Sequence, residues 1–441
     1  MNKDSNNQNP ISTEPYKGVR DFYPEDMTVQ NYIFDIWRKS AKKFGYEEYS
    51  ASILEPAELY RAKSGEEIVN EQTYTFTDRG DREVTLRPEM TPTLARMISA
   101  KRKSLTFPIR WFSMPNLFRY EQPQRGRVRE HFQFNADIFG IASTDAEIEI
   151  ISLANETVLS YGLKPKDFEI LINSRKLMDF ITRDVLSLDS DKSHKLSKLI
   201  DRKNKLPADV FEMGIKEIIG DKADAFLTLL NSQNFEEFTN SLQKTSGEQD
   251  GIREIKEVIK GLEDLGITNV RFDQTLMRGF DYYTGVVFEV FDTDPKNRRA
   301  LFGGGRYDDL LAIFDGEKIP AVGFGSGDVT ARDIMEIRDL LPKNSKSADV
   351  YICPTDIPYK PFANDLAQIV RNSGFSASVD YTTKKIGDKI KYADKKNIPL
   401  VIVVGENEKN SGKFSIKKLS SGESVETDAD NLVKILREII K

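Results

Sequence analysis

The sequence predicts an α+β chain: a large domain built on an antiparallel sheet and carrying a helical insertion, followed by a small α/β domain. Three observations support this prediction. Short alternating segments bounded by Gly and Asp occupy the chain up to residue 174 and return after residue 266. Residues 175–265 show helical spacing of apolar side chains almost throughout. Beyond a linker rich in Pro, Ser and Lys, Leu341–Asp349, strand patterns alternate with helix patterns.

Length, charge and cysteine content exclude several classes of protein. A chain of 441 residues is too long for one hydrophobic core, which favours two or three domains. Its net charge of -6 argues against non-specific coating of nucleic acid, so an anionic partner must meet a local cationic patch. A single cysteine, Cys353, forms no internal disulfide, and with two histidines in the chain no zinc site of His and Cys is predicted. One cysteine also favours a reducing compartment, so a cytoplasmic location is expected.

Neither a membrane segment nor a signal peptide is predicted. No run of eighteen apolar residues occurs. The first fourteen residues are polar and lack the apolar core of a signal peptide, which predicts a disordered tail.

The predicted elements of the large domain begin with a helix at Met27–Phe44, whose apolar residues recur at helical spacing. Further helices are expected at Pro92–Ile98 and Asp145–Tyr161. Strands are expected at Glu47–Ser52, Thr73–Asp78, Glu83–Arg87, Pro108–Phe112, Gln133–Phe139, Val270–Phe272 and Tyr282–Phe291. The expected boundaries are a disordered tail at 1–14, a sheet domain at 15–174 and 266–340, a helical insertion at 175–265 and an α/β domain at 348–441.

The first candidate site is TLRPEMTPTLARM, Thr85–Met97, which places Arg87 and Glu89 between a predicted strand and a predicted helix. A carboxylate at such a junction can face a pocket and hold an ammonium group, since a buried charge needs a partner of opposite sign. Glu89 can equally complement the dipole of the helix that follows. The segment alone leaves both interpretations open.

The second candidate is FRYEQPQRGRVREHFQF, Phe118–Phe134, which gathers four arginines in an acidic chain. Gly126 permits a turn, and alternation places three arginines on one side of an extended or hairpin arm: Arg125, Arg127 and Arg129. Guanidinium groups in such an arm suit phosphate oxygens, which they bind through paired hydrogen bonds. The alternative is an exposed hairpin in which the arginines pair with Glu121 and Glu130.

Two more clusters follow in the second half of the large domain. RGFDYYTGVVFEVFD, Arg278–Asp292, sets Arg278 beside two tyrosines. LFGGGRYDDLL, Leu301–Leu311, places three glycines before Arg306 and Tyr307. Three successive glycines cost backbone entropy, so they mark either a close approach of the backbone or a tight turn. The lysine of a phosphate loop is missing, which excludes that motif.

Together the four clusters resemble one family, the histidyl-tRNA synthetases, which are class II aminoacyl-tRNA synthetases. Arg278–Thr284 is close to that family's RGLDYYTG signature, and Gly303–Asp308 matches its GGGRYD. The resemblance runs from YKGVRDFYP at Tyr16 to the last helix. It implies a homodimer that activates L-histidine with ATP to histidyl-adenylate and transfers it to the 3′ end of tRNA(His). Phe44–Pro56 corresponds to the first class II motif, which builds the dimer interface.

The resemblance also implies roles for individual residues. Arg119 corresponds to the second-motif arginine that grips the α-phosphate and the amino-acid carboxylate, and Arg278 to the family's own catalytic arginine. The expected histidine-binding residues are Glu89, Met90, Thr91, Arg119, Gln133, Asp137, Arg278, Tyr282, Tyr283 and Tyr307. The expected ATP-binding residues are Arg119, Glu121, Arg127, Arg129 and Arg332, and the tRNA acceptor end is expected at Gln122, Gln124 and Arg125. Mg2+ on the ATP phosphates would neutralise the leaving pyrophosphate.

Three positions depart from the family pattern. Met90 stands where many members have glycine. Gln122 stands where arginine is common, which bears on how the extra 5′ guanosine of histidine tRNA is read. Thr330 stands where the third motif has an ATP-stacking arginine; Arg332 is the nearest replacement, although two residues turn a helix by roughly 200°.

Two features leave alternatives open. The basic stretch Lys192–Lys205 either clamps the acceptor stem or is a solvated helix face. The last domain resembles the anticodon-binding domain of several class II synthetases. A rival function is that of a non-aminoacylating regulatory subunit of ATP phosphoribosyltransferase, but such relatives typically lack that domain and have eroded signatures.

Overall fold

A computed structural model of the chain forms two compact units, Met1–Leu341 and Pro342–Lys441. It describes residues 11–61, 72–124, 126–203, 206–246, 249–277, 282–294, 297, 300–315, 317–342 and 346–440. Arg125 and Arg278, both predicted site residues, lie outside the described residues.

The first unit is built on two sheets. Its strands are β1 (Glu47–Glu48), β2 (Leu54–Pro56), β3 (Tyr74–Thr77), β4 (Glu83–Leu86), β5 (Ile109–Ser113), β6 (Asn116–Phe118), β7 (Glu130–Phe139), β8 (Phe168–Ser174), β9 (Val270–Phe272), β10 (Val286–Asp292), β11 (Ala300–Arg306) and β12 (Ala321–Gly327). Among the described residues, nine strands form one sheet in the order β1-β5-β7-β12-β11-β10-β8-β9, with β6 paired to β7. The small sheet has the order β2-β4-β3.

Antiparallel pairing prevails in the large sheet. All pairs from β5 to β8 are antiparallel, and the edge pairs β1 with β5 and β8 with β9 are parallel. The predicted antiparallel sheet is therefore confirmed, with a mixed character at its two edges.

Helices pack around this sheet. In the first unit they are α1 (Pro24–Lys43), α2 (Glu58–Arg61), α3 (Thr91–Lys101), α4 (Asp145–Ser160), α5 (Arg175–Phe180), α6 (Ser190–Asp201), α7 (Ala208–Ile219), α8 (Ala223–Leu230), α9 (Phe235–Ser246), α10 (Asp250–Asp264), α11 (Ala312–Asp315) and α12 (Asp328–Ile337). The first helix has Pro24 at its start and two acidic residues in its first turn, which suit a helix N-terminus. Its buried Trp37 stacks on Phe134 of β7 with ring centroids 5.8 Å apart. Helices α5 to α10 lie within the range predicted as a helical insertion.

The three glycines of LFGGGRYDDLL lie inside β11, in the interior of the large sheet. A Cβ at Gly304 would lie 2.0 Å from the carbonyl oxygen of Gly323 on β12. The tight-turn interpretation is therefore wrong, and the close-approach interpretation is confirmed: the two backbones are too near for a side chain at this point.

The second unit is a small α/β domain, as predicted. Its elements are β13 (Val350–Pro354), α13 (Lys360–Asn372), β14 (Ala377–Val379), α14 (Ile386–Lys395), β15 (Leu400–Val404), α15 (Glu406–Ser411), β16 (Lys413–Lys418), β17 (Ser424–Asp428) and α16 (Leu432–Ile439). The strand order is β14-β13-β15-β16-β17, parallel among the first three and antiparallel thereafter. Across the described parts of both units, every helix is too short or too polar to span a bilayer.

Candidate active site

A cavity with an empty volume of about 400 Å³ lies at the centre of the large sheet. It is lined by Glu89, Thr91, Arg119, Gln133, Asn135, Asp137, Tyr282, Tyr283, Gly303, Tyr307, Gly323, Phe324 and Gly325. Eight of the residues predicted to bind histidine thus line one cavity. Met90 is the ninth predicted residue that the structure describes. It does not line the cavity, and its side chain is buried at the N-terminus of α3.

Strand β7 supplies three of the polar lining residues: Gln133, Asn135 and Asp137. Alternate residues of a strand point to the same face, so these three side chains project together. Opposite them on β12 stand glycines, since Gly323 pairs with Asp137 and Gly325 with Asn135. A Cβ at Gly323 would lie 1.9 Å from Oδ1 of Asp137. The glycines therefore leave the room into which the polar side chains of β7 extend.

Asp137 and Tyr307 form one buried pair in this cavity. The Tyr307 hydroxyl donates to Oδ1 of Asp137 at 2.5 Å, and both residues are nearly inaccessible. Burial raises the pKa of Asp137 to about 7, and the hydrogen bond from Tyr307 opposes that rise. Burial, followed by the nearby Asp137 charge, raises the pKa of Tyr307. The carboxyl group at this position is therefore poised to change charge near neutral pH.

Glu89 and Tyr282 form a second pair. The Tyr282 hydroxyl donates to Oε2 of Glu89 at 3.3 Å, and Glu89 is only 3% exposed. Glu89 therefore faces the cavity from just before α3, although its place near the helix N-terminus also suits a carboxylate. Arg87 is buried too, but it donates to the carbonyl oxygens of Ala51 and Asn116 and holds the junction together.

Arg119 lines the same cavity as these two pairs. Its Nε donates to the carbonyl oxygen of Pro88 at 2.9 Å, and its backbone N–H donates to the carbonyl oxygen of Arg129 at 2.9 Å. These contacts fix the start of the side chain. His131, nearby on β7, has its pKa lowered to about 3, by burial first and by the charges of Arg119 and Arg20 next. A neutral His131 adds no second positive charge at neutral pH.

The predicted arm is a short hairpin. Gln124 and Arg127 pair through both of their backbone groups, and Gly126 between them has a φ of 78°. Arg127 is exposed and forms an ion pair with Glu121 at 3.2 Å, as the salt-bridged interpretation expects. Arg129 is only 8% exposed. Of the two arm arginines that the structure describes, Arg127 therefore lies in solvent and Arg129 is buried, so the two differ in environment.

Arg332 lies away from the cavity. Its Nη2 is 3.1 Å from Oδ1 of Asp26 on α1, and it is not among the residues that line the cavity. Thr330 donates from its hydroxyl to the carbonyl oxygens of Leu301 and Gly327, which fixes the first turn of α12. The structure thus turns Arg332 toward α1, in agreement with the rotation that two helical residues produce.

Sequence reasoning missed Asn135, Phe324 and the two glycines of β12, Gly323 and Gly325. The signal for Asn135 was present, because Gln133, Asn135 and Asp137 repeat at a spacing of two and alternate with apolar residues. Gly323 and Gly325 repeat at the same spacing in AVGFGSG, which marks the strand that faces them.

The comparisons with known proteins agree with this geometry. A family model described as histidyl-tRNA synthetase matches residues 18–329, and one described as anticodon binding domain matches residues 349–439. A histidine–tRNA ligase from Leptospira biflexa is 40% identical over 437 residues, which cover 98% of this chain and 99% of that protein. A histidine–tRNA ligase from Thermoplasma volcanium is 35% identical and covers 97% of this chain and 99% of its own length.

A solved structure has the same fold. The crystal structure of histidyl-tRNA synthetase from Nostoc sp. PCC 7120 matches with a TM-score of 0.82 at 22% identity, covering 97% of this chain and all of that one. The antiparallel sheet, its polar central cavity and the separate anticodon-binding unit define a class II aminoacyl-tRNA synthetase. The chain belongs to the histidyl-tRNA synthetase family. It is therefore an aminoacyl-tRNA ligase, and ATP is one of its substrates.

Proposed function

We propose that this histidine–tRNA ligase binds histidine in the central cavity, joins it to AMP there, and transfers it to tRNA(His). One observation carries the proposal: two buried carboxylates, Glu89 and Asp137, line the same cavity, and each accepts a hydrogen bond from a tyrosine. Histidine carries two groups that such acceptors suit, the α-ammonium and the N–H of its imidazole ring.

We assign the α-ammonium to Glu89 and the imidazole ring to Asp137. Glu89 lies just before the N-terminus of α3, close to Arg119. If the histidine carboxylate contacts the Arg119 guanidinium, the α-ammonium of the same amino acid must lie nearby. Asp137 lies on β7 and is hydrogen-bonded to Tyr307, whose ring centre is 5.8 Å from that of Tyr282. A substrate without a ring N–H would leave the Asp137–Tyr307 pair incompletely hydrogen-bonded, which favours histidine over apolar amino acids.

Activation requires the histidine carboxylate to attack the α-phosphorus of ATP while pyrophosphate leaves. Both reactants are anions, so the reaction needs fixed cations in a site with little water. Arg119 is the cation that lines the described cavity, and we propose that it contacts both the carboxylate and the α-phosphate. Arg278, outside the described residues, remains the proposed second cation. No protein nucleophile takes part in this step.

The arm is the part of the site assigned to ATP and to the tRNA acceptor end. We propose that Glu121, Arg127 and Arg129 form the arm side of the ATP site, and that Gln122, Gln124 and Arg125 approach the tRNA acceptor end. Arg332 is the weakest of the proposed ATP contacts, because it is paired with Asp26. Mg2+ would arrive with ATP, whose phosphate oxygens are its preferred ligands. A homodimer and a cytoplasmic location complete the proposal.

The regulatory-subunit alternative has less support. Residues 349–439 match the anticodon-binding model, and the named relatives are ligases over nearly their whole length. Glu89 and Arg119, which an inactive relative could lose, are present and line the cavity.

The test is ATP–pyrophosphate exchange measured with each of the twenty amino acids, followed by charging of tRNA(His). Exchange stimulated by histidine alone is expected, and Arg278→Ala should reduce it by at least about 100-fold, the loss typical of removing one group that stabilises the transition state. Absence of exchange with every amino acid would overturn the proposal, and exchange with a different amino acid would overturn the assignment of the pocket.

A further inference from the structure

A segment upstream of α1 contacts the base of the arm, which the proposed function assigns to ATP, and also the start of α12. This segment, Tyr16–Arg20, is named the strap. On one side it packs against Pro123 and Arg129 at the base of the arm, and on the other it reaches Asp328 at the start of α12. None of the residues that line the histidine cavity belongs to the strap.

Arg129 is held by three atoms of the strap. Its backbone N–H donates to the carbonyl oxygen of Gly18 at 2.6 Å, and its Nη1 donates to Oη of Tyr16 at 3.0 Å and to the carbonyl oxygen of Lys17 at 3.3 Å. Its guanidinium carbon also lies 3.9 Å from the centre of the Tyr120 ring. These contacts together fix the residue at which the arm rejoins β7.

Gly18 fits closely against the arm. Its φ is +89°, a conformation that disfavours any residue with a Cβ. A Cβ there would also lie 2.8 Å from Cγ and Cδ of Arg129 and 2.9 Å from Cγ of Pro123. A side chain at this position must therefore push the base of the arm away from the strap.

The second contact of the strap joins it to α12. Nη2 of Arg20 is 2.8 Å from Oδ2 of Asp328, whose other oxygen accepts the backbone N–H of Phe132 on β7 at 3.0 Å. Asp328 is fully buried, so it needs this cation. Through Asp328 the strap ties the start of α12 to the first residues of β7.

We propose that the strap is a positioning element for the ATP half of the site. Tyr16 and Gly18 hold Arg129 and thereby set the height of the arm above the sheet, and Arg20 holds α12 in register with β7. The Glu89–Tyr282 and Asp137–Tyr307 pairs of the histidine half are held by contacts outside the strap. Arg119 is linked to the strap indirectly, through its backbone hydrogen bond to Arg129. This inference rests on the proposed function, because it concerns how that site receives ATP.

Gly18→Ala and Tyr16→Phe test the strap, with Gly266→Ala and Tyr23→Phe as matched controls. Gly266 has a similar φ of +79° but nothing within 4 Å of an added Cβ, and Tyr23 is an exposed tyrosine of the same N-terminal segment. Gly18→Ala should raise the KM for ATP in histidine-dependent exchange about tenfold, and leave the KM for histidine within about twofold, because Arg129, which it displaces directly, is assigned to ATP and not to histidine. Tyr16→Phe, which removes one hydrogen bond to a charged group, should act in the same direction with a smaller change.

Backbone hydrogen–deuterium exchange of residues 121–130 supplies a second readout that needs no activity. Faster exchange in Gly18→Ala than in Gly266→Ala is expected. An unchanged KM for ATP together with unchanged protection of these residues would overturn the inference, and so would equal rises in both KM values accompanied by a lower melting temperature. Failure of the proposed function looks different: the wild-type chain would then show no exchange with histidine, while the protection of the arm would still report on the strap.

Discussion

At the scale of single residues, the cavity holds ionisable groups whose burial lowers the stability of the fold. Asp137 is held out of water with one tyrosine as its hydrogen-bond partner in the cavity, and burial raises its pKa to about 7. A carboxyl group kept in such a place without its ligand lowers the stability of the fold, and the ligand's N–H removes part of that cost. The same buried carboxyl group that recognises the ligand therefore lowers the stability of the ligand-free fold.

Asp137→Asn should therefore stabilise the substrate-free protein at alkaline pH. The pKa of Asp137 in the folded protein lies above its value in the unfolded chain, so Asp137 does not lower the free energy of unfolding below about pH 4. The loss of this free energy grows as pH rises toward 7 and is complete above 7. The variant should melt a few degrees higher than wild type at pH 8 and by a smaller margin at pH 5. Thermal unfolding at both pH values measures this. The exposed Asp35 provides the control: Asp35→Asn should show no such pH-dependent gain, and an equal gain at both pH values for Asp137→Asn would contradict the explanation.

Glu89→Gln should weaken histidine binding through the α-ammonium alone. Removing one partner of a charged hydrogen bond costs roughly 1.5–3 kcal/mol, which corresponds to a KM for histidine about 10- to 100-fold higher. L-histidinol keeps the ammonium and the ring but lacks the carboxylate, so it separates Glu89 from Arg119. Its inhibition constant in the exchange reaction should rise by a similar factor in Glu89→Gln and stay within about twofold in Arg119→Lys. Unchanged inhibition of Glu89→Gln by histidinol would assign the ammonium to another group.

At the scale of secondary structure elements, the site depends on the register between β7 and β12. Three polar side chains on one strand extend over glycines on the other, so the cavity is a consequence of strand pairing rather than of a loop. The register of this pair is strongly specified, because shifting β7 by one residue would turn its polar side chains to the opposite face of the sheet.

Gly323→Ala should abolish histidine-dependent exchange. The added Cβ would lie 1.9 Å from Oδ1 of Asp137 and 2.9 Å from the carbonyl oxygen of Ala136, and the second of these is backbone that moves only with the sheet. Overpacking of this kind costs about 1–3 kcal/mol of folding free energy. Gly327→Ala, at the end of the same strand, meets only the Thr330 hydroxyl at 3.7 Å and should retain exchange. Kinetics and urea unfolding of both variants check this, and equal activity of the two would show that the glycines do not shape the pocket.

The same elements show what the sequence could predict. The helix pattern at Met27–Phe44 predicted α1 to within three residues at either end, because amphipathic spacing is a local property. The strand Phe168–Ser174 was not predicted, since FEILINS is buried almost throughout and lacks alternation. Strand β7 begins at Glu130 rather than Gln133 because its first residues pair with β6, a long-range contact that no local pattern reveals.

The motifs predicted which residues lie near one another, whereas the sequence could not predict features that depend on packing. Glu89, Asp137 and Tyr307, separated by more than two hundred residues in sequence, were expected together from the family signatures and line one cavity. The burial of Arg129 beneath the arm was not predicted, because it depends on the strap, which is distant in sequence from the arm. Alternation gives the direction of a side chain only while the strand continues, and the turn at Gly126 ends it.

At the scale of the whole molecule, one surface of the first unit is apolar and accessible. The register of β2, β4 and β3 places six side chains on one face of the small sheet: Leu54, Pro56, Tyr74, Phe76, Val84 and Leu86. None of the six is buried, and Leu54 and Phe76 are 47% and 48% exposed. The other face is covered, with Glu55 paired to Arg96 of α3. A contiguous apolar face of this kind is typical of an interface between subunits.

Leu54→Asp and Phe76→Asp should each convert a dimer into monomers. In a two-fold symmetric dimer the same face of both chains meets itself, so one substitution places a charge on each side of the interface and removes apolar area from both. Sedimentation equilibrium of the wild-type chain should give the mass of two chains, and that of either variant the mass of one at the same concentration. Val425 in β17 of the second unit offers a matched exposed strand residue, 39% accessible, and Val425→Asp should leave the dimer intact. The junction that carries Glu89 continues directly from β4, so the monomeric variants should also lose histidine-dependent exchange. A dimer that survives both aspartate substitutions would place the subunit interface elsewhere. A wild-type chain that sediments as a monomer would show that this face forms no subunit interface.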